Sequence, residues 1–240
     1  MPMMRIDKLV SQSGFGSRKE VKAILRSREV SVDGEVVTDP QTRVNPDQSV
    51  IYVGSEQIKY ERYVYIMMNK PAGVISASYD EHDDTVCDIL DENDRWFDLF
   101  PVGRLDKDTT GLLILSNDGG FAHRALSPKK HIEKVYHAEI DSPVAGKDVA
   151  AFAAGITLDD GYRCMPAVLA PLTDCLAEVI IREGKFHQVK RMFEAIGKNV
   201  VSLRRVRFAD IVLDESLAPG EYRRLNDNEM AVIANIITKD

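Results

Sequence analysis

An unbroken apolar run, Tyr63-Val64-Tyr65-Ile66-Met67-Met68, stops abruptly at Asn69-Lys70-Pro71-Ala72-Gly73. Six aromatic, β-branched and long aliphatic residues in a row, closed by turn formers, predict a strand buried on both faces. A strand of that kind needs a sheet around it and covering layers above and below. Further strands are predicted at 112–115, 135–140, 177–181 and 201–208. Helices are predicted after Gly119-Gly120, around 188–196 and over 226–237, where Asn226 and Glu229 have the spacing of a cap pair. Strands outnumber helices and do not alternate with them as βαβ units do. The predicted class is therefore α+β with a mixed, mainly antiparallel sheet.

At 240 residues the chain can hold one medium domain and a small one, and 44% hydrophobic content supports a sizeable core. No stretch approaches the roughly 20 apolar residues of a membrane span. The opening Met1-Pro2-Met3-Met4-Arg5 lacks the apolar centre of a secretory signal. Cys87, Cys164 and Cys175 are scattered and form no Cys-x-x-Cys pair, so reduced, mostly buried thiols in a cytoplasmic protein are expected. The net charge of −7 conceals two basic segments: residues 1–30 carry +4 and residues 185–207 carry +6, which leaves −17 elsewhere, −8 of it within 79–98. Phosphates respond to the nearby field, so a polyanionic partner stays open despite the acidic total. Solvated faces are the alternative reading of both segments.

The first sixty residues read as a module of their own. Ser17-Arg18-Lys19-Glu20 has capping-box spacing, and Val21, Ile24 and Leu25 follow at helical period. Arg18, Lys22 and Arg26 fall at i, i+4 and i+8, a cationic stripe beside an apolar one. Arg5 and Lys8, on a preceding short helix with Ile6 and Leu9 turned inward, extend that stripe. Val30-Ser31-Val32-Asp33-Gly34-Glu35-Val36-Val37 predicts a hairpin about Asp-Gly. Gly14-Phe15-Gly16 before the helix lets backbone amides approach a phosphate. Two helices leading into a small hairpin, basic on one side, resemble the S4-type RNA-binding domain over residues 4–50. Such a face anchors RNA by shape and phosphates rather than by sequence. Turn clusters at Asp39-Pro40, Asn45-Pro46-Asp47 and Val53-Gly54-Ser55 mark a linker, and the boundary is placed near Tyr60, giving domains 1–60 and 61–240.

The larger domain contains Gly103-Arg104-Leu105-Asp106-Lys107-Asp108-Thr109-Thr110-Gly111-Leu112-Leu113, an acidic turn running into an apolar strand. Taken alone, Asp106 would be a solvated turn residue. The segment resembles the signature of RNA pseudouridine synthases of the RsuA type, and Asn69-Lys70-Pro71-Ala72-Gly73 resembles another part of that pattern. The resemblance implies that Asp106 is the catalytic nucleophile and that Arg104 fills the gap or grips a phosphate when the target base leaves its stack. Lys134-Val135-Tyr136 resembles the family's Lys-x-Tyr strand, which implies that Tyr136 stacks on the target base. A nucleophilic carboxylate in a desolvated pocket needs a cation beside it. Glu183-Gly184-Lys185-Phe186-His187-Gln188-Val189-Lys190-Arg191-Met192 resembles the family's second signature, and by that resemblance Lys190 is the partner of Asp106, with Lys185 and Arg191 as competitors. Asp108 is assigned a structural role, accepting hydrogen bonds from backbone amides in its turn.

Isomerising uridine to pseudouridine changes no oxidation state, so neither cofactor nor metal is expected. His123, His131 and His137 lie on different elements and are read as structural or RNA-facing. The tail Leu217-Ala218-Pro219-Gly220-Glu221-Tyr222-Arg223 and the His187-Gln188 pair resemble the small-subunit members. The expected activity is isomerisation of one uridine in small-subunit ribosomal RNA, free or in a pre-ribosomal particle, by a monomer. The alternatives are a large-subunit enzyme of the same superfamily, a non-catalytic ribosome-binding factor, and a glycosidase that releases uracil.

Overall fold

A computed structural model describes residues 3–58 and 60–238. They form two compact units: one runs through Val64 and includes Leu90–Leu99, the other comprises Tyr65–Ile89 and everything from Phe100 onward. The inclusion of Leu90–Leu99 in the first unit has no local signal in the sequence.

In the N-terminal unit the helices Ile6–Gln12 and Arg18–Arg26 precede a four-stranded sheet ordered Glu35–Val36, Val30–Val32, Ile51–Val53, Glu56–Gln57. The second helix begins at a full capping box: the Ser17 hydroxyl accepts from the Glu20 amide at 3.3 Å, and the Glu20 carboxylate accepts from the Ser17 amide at 2.7 Å. Asp33 and Gly34 both have positive φ, 52° and 88°, as a type I′ hairpin turn demands. Ile6, Leu9, Val21, Leu25, Val30 and Ile51 close a core between helices and sheet.

The larger unit is built on one sheet. Its main path is Val168–Pro171, Leu176–Ile181, Lys134–Ile140, Val200–Phe208, Thr110–Ser116, Tyr65–Lys70, Tyr222–Arg224. Every neighbouring pair on that path is antiparallel except Val200–Phe208 with Thr110–Ser116, which run parallel. The sheet is thus mixed and mainly antiparallel, and the α+β class holds. The first strand does not stop at Asn69: Asn69 and Lys70 are its last two residues, both buried, and Pro71 ends it by supplying no amide to the ladder. Helices Gly119–Leu126 and Asp227–Thr238 cover one face through Phe121, Ala125, Ile233 and Ile236, which pack on Tyr65, Met67, Leu112 and Ile114. The cap pair on the last helix forms in both directions, Asn226 amide to Glu229 and Glu229 amide to Asn226. Helix Gly146–Ala154 and strand Val168–Pro171 add to the elements predicted from sequence. Cys164 is buried, whereas Cys87 and Cys175 are only half-buried, and all three are free thiols. Among the described residues no helix is long and apolar enough to cross a membrane.

Candidate active site

The turn that carries Asp106 closes on one hydrogen bond of its own, from the Thr109 amide to the Asp106 carbonyl at 3.1 Å, and is otherwise held by its neighbours. Lys70 is fully buried at the end of its strand, and its ammonium donates to the carbonyls of Pro71 at 3.0 Å, Asp106 at 3.1 Å and Thr109 at 2.9 Å. Burial pulls its pKa down to about 8, against the opposing pull of Asp108 and Asp106. From the same side the Ser76 hydroxyl donates to the Leu105 carbonyl and accepts from the Leu105 amide, while the Gly73 amide donates to Lys107. The backbone on both sides of Asp106 is therefore fixed, and its carboxylate, about one quarter exposed, faces out of the turn. Behind it Gly111 has φ of +98°, and a Cβ there would lie 2.3 Å from the Arg205 carbonyl. Only glycine allows the two parallel strands to meet at that point.

Of the three cations proposed for Asp106, only Lys190 reaches it. Lys190 Nζ lies 3.4 Å from Asp106 Oδ2, on the helix Gln188–Glu194. Lys185 sits over the Tyr162 ring, 4.4 Å from its centroid, and Arg191 is tied to Asp159 and Asp160. His187 adds a second neighbour, with Nε2 3.5 Å from Asp106 Oδ1. Asp108 is engaged mainly by a distant cation rather than by the amides of its turn. Its side chain is 74% exposed and takes the shortest contact to Lys190, 2.5 Å, so Lys190 bridges two carboxylates. The hydrogen bond to Lys190 holds the Asp108 carboxyl below the usual range. A long-range cation is the main partner of this carboxylate, and its own backbone amide contributes less.

Asp106 opens into a cavity of about 710 Å³, within the size range of small-molecule sites. Arg104 is exposed on its wall, and Tyr136, only 7% exposed, lies deeper. Beyond Tyr136 the wall contains Lys134 and Arg205, both buried. Tyr136 and Arg205 are direct cross-strand partners and so share a face of the sheet. The opposite wall is the 183–188 loop, braced by Glu183, which accepts from the Tyr162 hydroxyl, the Met165 amide and the Gln188 side chain. Phe186, 75% exposed, stacks on His187 with centroids 3.8 Å apart. Cavity lining thus unites Asp106, Arg104, Tyr136 and Lys185, with Lys190 joined through its ion pair; Arg191 is directed elsewhere. The clamp by Lys70, the burial of Arg205 and the exposed Phe186 were not assigned from sequence. Only Lys70 had a signal, its place in Asn-Lys-Pro-x-Gly. His131 lines the cavity, and His137 lies 3.7 Å from Glu178. Among the described residues no three of His, Cys, Asp and Glu are grouped to hold a metal ion.

In the N-terminal unit, Arg18, Lys19, Lys22 and Arg26 are exposed on their helix. Arg5 precedes the first helix instead of lying on it and is bonded through two nitrogens to Asp7, so it does not extend the stripe freely. Lys8 is half-buried. The Ser17 amide next to Gly16 is already engaged by Glu20, which leaves that helix start poorly suited to a phosphate.

Residues 64–195 match the RNA pseudouridylate synthase family, and residues 4–50 match the S4 domain. An RNA pseudouridine synthase of Bacillus subtilis, named as uncharacterized, is 43% identical over 96% of this chain and 98% of its own length. Ribosomal small subunit pseudouridine synthase A of Escherichia coli is 41% identical over 96% of this chain and 100% of its own. A crystal structure of a pseudouridylate synthase superposes with a TM-score of 0.68 at 37% identity, covering 96% of this chain and 99% of the other.

Proposed function

Since the chain belongs to the RsuA family of RNA pseudouridine synthases, with an S4 domain at its N-terminus, we propose that it isomerises one uridine of small-subunit ribosomal RNA through Asp106. The observation that carries this reading is the placement of the Asp106 carboxylate at the cavity wall, 3.4 Å from the Lys190 ammonium and on a turn locked by Lys70. A carboxylate so fixed is a preorganised nucleophile, and the adjacent cation offsets the loss of water when a base enters.

The reaction breaks the bond between ribose C1′ and uracil N1, turns the base, and rejoins it through C5, whose proton is then lost. The net change balances within the nucleotide: C1′–N1 breaks and C1′–C5 forms, C5 gives up a proton and N1 takes one up, and the Asp106 carboxylate that bonds to the nucleotide in between is released unchanged. Tyr136 supplies an aromatic face deep in the cavity, and Arg104 at its wall is suited to hold a flanking phosphate or the gap left by the extruded base. The N-terminal helix provides exposed cations for the phosphates of folded RNA. The name of the Escherichia coli relative, and its match over the full length, support a small-subunit substrate.

The test offers purified protein both folded ribosomal RNAs and maps pseudouridine in each. A single new pseudouridine in small-subunit RNA is expected, and Asp106→Asn should abolish it while leaving RNA binding nearly intact. Residual activity within about tenfold of the parent, roughly 1.4 kcal/mol of barrier, removes Asp106 as nucleophile. Preferential modification of large-subunit RNA reassigns the substrate, and release of free uracil makes the protein a glycosidase.

A further inference from the structure

Arg205 is a charged side chain that the proposed chemistry does not yet use. It is 2% exposed, its Nε donates to the Leu112 carbonyl at 2.7 Å, and its guanidinium lies 5.6 Å from the centroid of Phe208. Its Nη2 has no hydrogen-bond partner. A buried guanidinium donor without an acceptor is costly, and native folds rarely keep one without a use. Lys134 also lies by this ring, 5.7 Å from the Phe208 centroid, and donates to the Ile132 carbonyl. Burial, and then the charge of Arg205, push the Lys134 ammonium down to about 8. The nearby carboxylate is Glu183, and both its oxygens are taken by Tyr162, Met165 and Gln188. A second unpartnered atom, Thr109 Oγ1, belongs to the Asp106 turn. Arg205, Lys134 and Thr109 all line the cavity that Asp106 opens into.

The deep part of the cavity is therefore rich in donors and short of acceptors. A uracil entering it brings two carbonyl oxygens, O2 and O4. As the C1′–N1 bond breaks, its electron pair stays on the base and spreads over N1, O2 and O4, so negative charge grows at those oxygens while the base is detached. Fixed donors in a site closed to water stabilise such charge most effectively where it develops. We infer that the Arg205 guanidinium donates to a carbonyl oxygen of the target uracil, its shielded Nη2 turning to the base as the base enters, and that Lys134 and Arg205 together hold the charge of the detached base. This assignment rests on the isomerase reading. It also gives the cavity a means of refusing cytosine if the oxygen is O4, because cytosine presents an amino donor at that position.

The test combines removal of the donor with weakening of each acceptor. Folded small-subunit fragments carry uridine, 2-thiouridine or 4-thiouridine at the target, and single-turnover rates are measured for the parent, Arg205→Gln and Arg205→Lys. Sulfur accepts hydrogen bonds poorly. In the parent, one of the two thio substitutions should slow conversion by about tenfold or more, as expected when a buried donor is left unpaired. In Arg205→Gln the same substitution should cost less than about twofold, because the contact is already gone. Parental rates on both thio substrates overturn the inference without any variant, so a folding defect in Arg205→Gln does not shield it. Equal thio penalties in parent and both variants overturn it as well. Failure of the parent on unmodified uridine removes the isomerase reading itself, a different result from either.

Discussion

Lys190 supplies the sharpest test of the site because it is shared. At 3.4 Å from Asp106, a unit charge pair in an effective dielectric of about 20 is worth roughly 5 kcal/mol. Two features reduce that figure. The Asp106 carboxylate is 26% exposed and screened by water, and Asp108 takes the closer contact at 2.5 Å. About 2–3 kcal/mol is left for the electrostatic support of Asp106, which corresponds to a loss of roughly 30- to 150-fold in rate. Lys190→Met should therefore lower kcat by that amount in single-turnover conversion of a folded small-subunit fragment, with KM close to the parent. Lys185→Met should leave kcat within about threefold, because Lys185 is engaged with Tyr162 and not with Asp106. Asp108→Asn should match the parent or exceed it slightly, since it releases Lys190 from its nearer partner. A Lys190→Met enzyme within about threefold of the parent refutes the reasoning, as does a larger loss from Lys185→Met.

Two further outcomes test the scaffold and the anchor. Lys70→Met removes a buried cation with a folded-state pKa of about 8; between that value and the ordinary lysine range near 10.4 the unfolded parent binds more protons than the folded one, so parent stability relative to the variant should rise with pH across this window, by up to roughly 3 kcal/mol, and be lowest below pH 8. Urea unfolding of both proteins at several pH values measures the difference, and a flat or falling difference refutes the buried-charge account. Replacing Arg18, Lys22 and Arg26 together with Ala should weaken RNA binding and reduce the slope of log affinity against log salt by about 0.7–0.9 per lost phosphate contact; an unchanged slope makes the stripe an ordinary solvated face.

Where the sequence was legible, short-range physics was deciding. The Ser17–Glu20 capping box, the Asp33-Gly34 turn and the Asn226–Glu229 cap each involve residues at most three apart, and each forms as read. The central strands were legible because both faces are buried and the apolar runs are continuous. For Asp108 the same local logic finds only the lesser partner: its turn position points to backbone amides, but the main group, Lys190, is 82 residues away. The grip of Lys70 on the Asp106 carbonyl, 36 residues away, is equally invisible to any window along the chain. So is the burial of Arg205, which follows from pairing between Val200–Phe208 and two other strands. The choice among Lys185, Lys190 and Arg191 came from resemblance alone, and helix phase with competing carboxylates is what separates them in three dimensions.

The same limit applies to charge. Counted along the chain, 185–207 is the stronger basic segment, with seven cations against one acid. In the folded protein Arg191 is neutralised by Asp159 and Asp160, Lys198 by Asp148, and Arg207 by Glu133, while Lys190 is divided between Asp106 and Asp108. Arg205 is buried. Only Lys185 and Arg204 are exposed and outside any ion pair among the described residues, and Lys185 lies on the Tyr162 ring. The helix Arg18–Arg26 looks weaker as a count, yet Arg18, Lys19, Lys22 and Arg26 are all exposed and none is in an ion pair among the described residues. Counterion release depends on cations free to meet phosphates, not on cations per segment. The weaker stretch of sequence therefore leaves more cations free to meet phosphates, whereas most of those in the stronger one are held in ion pairs or buried within the catalytic unit.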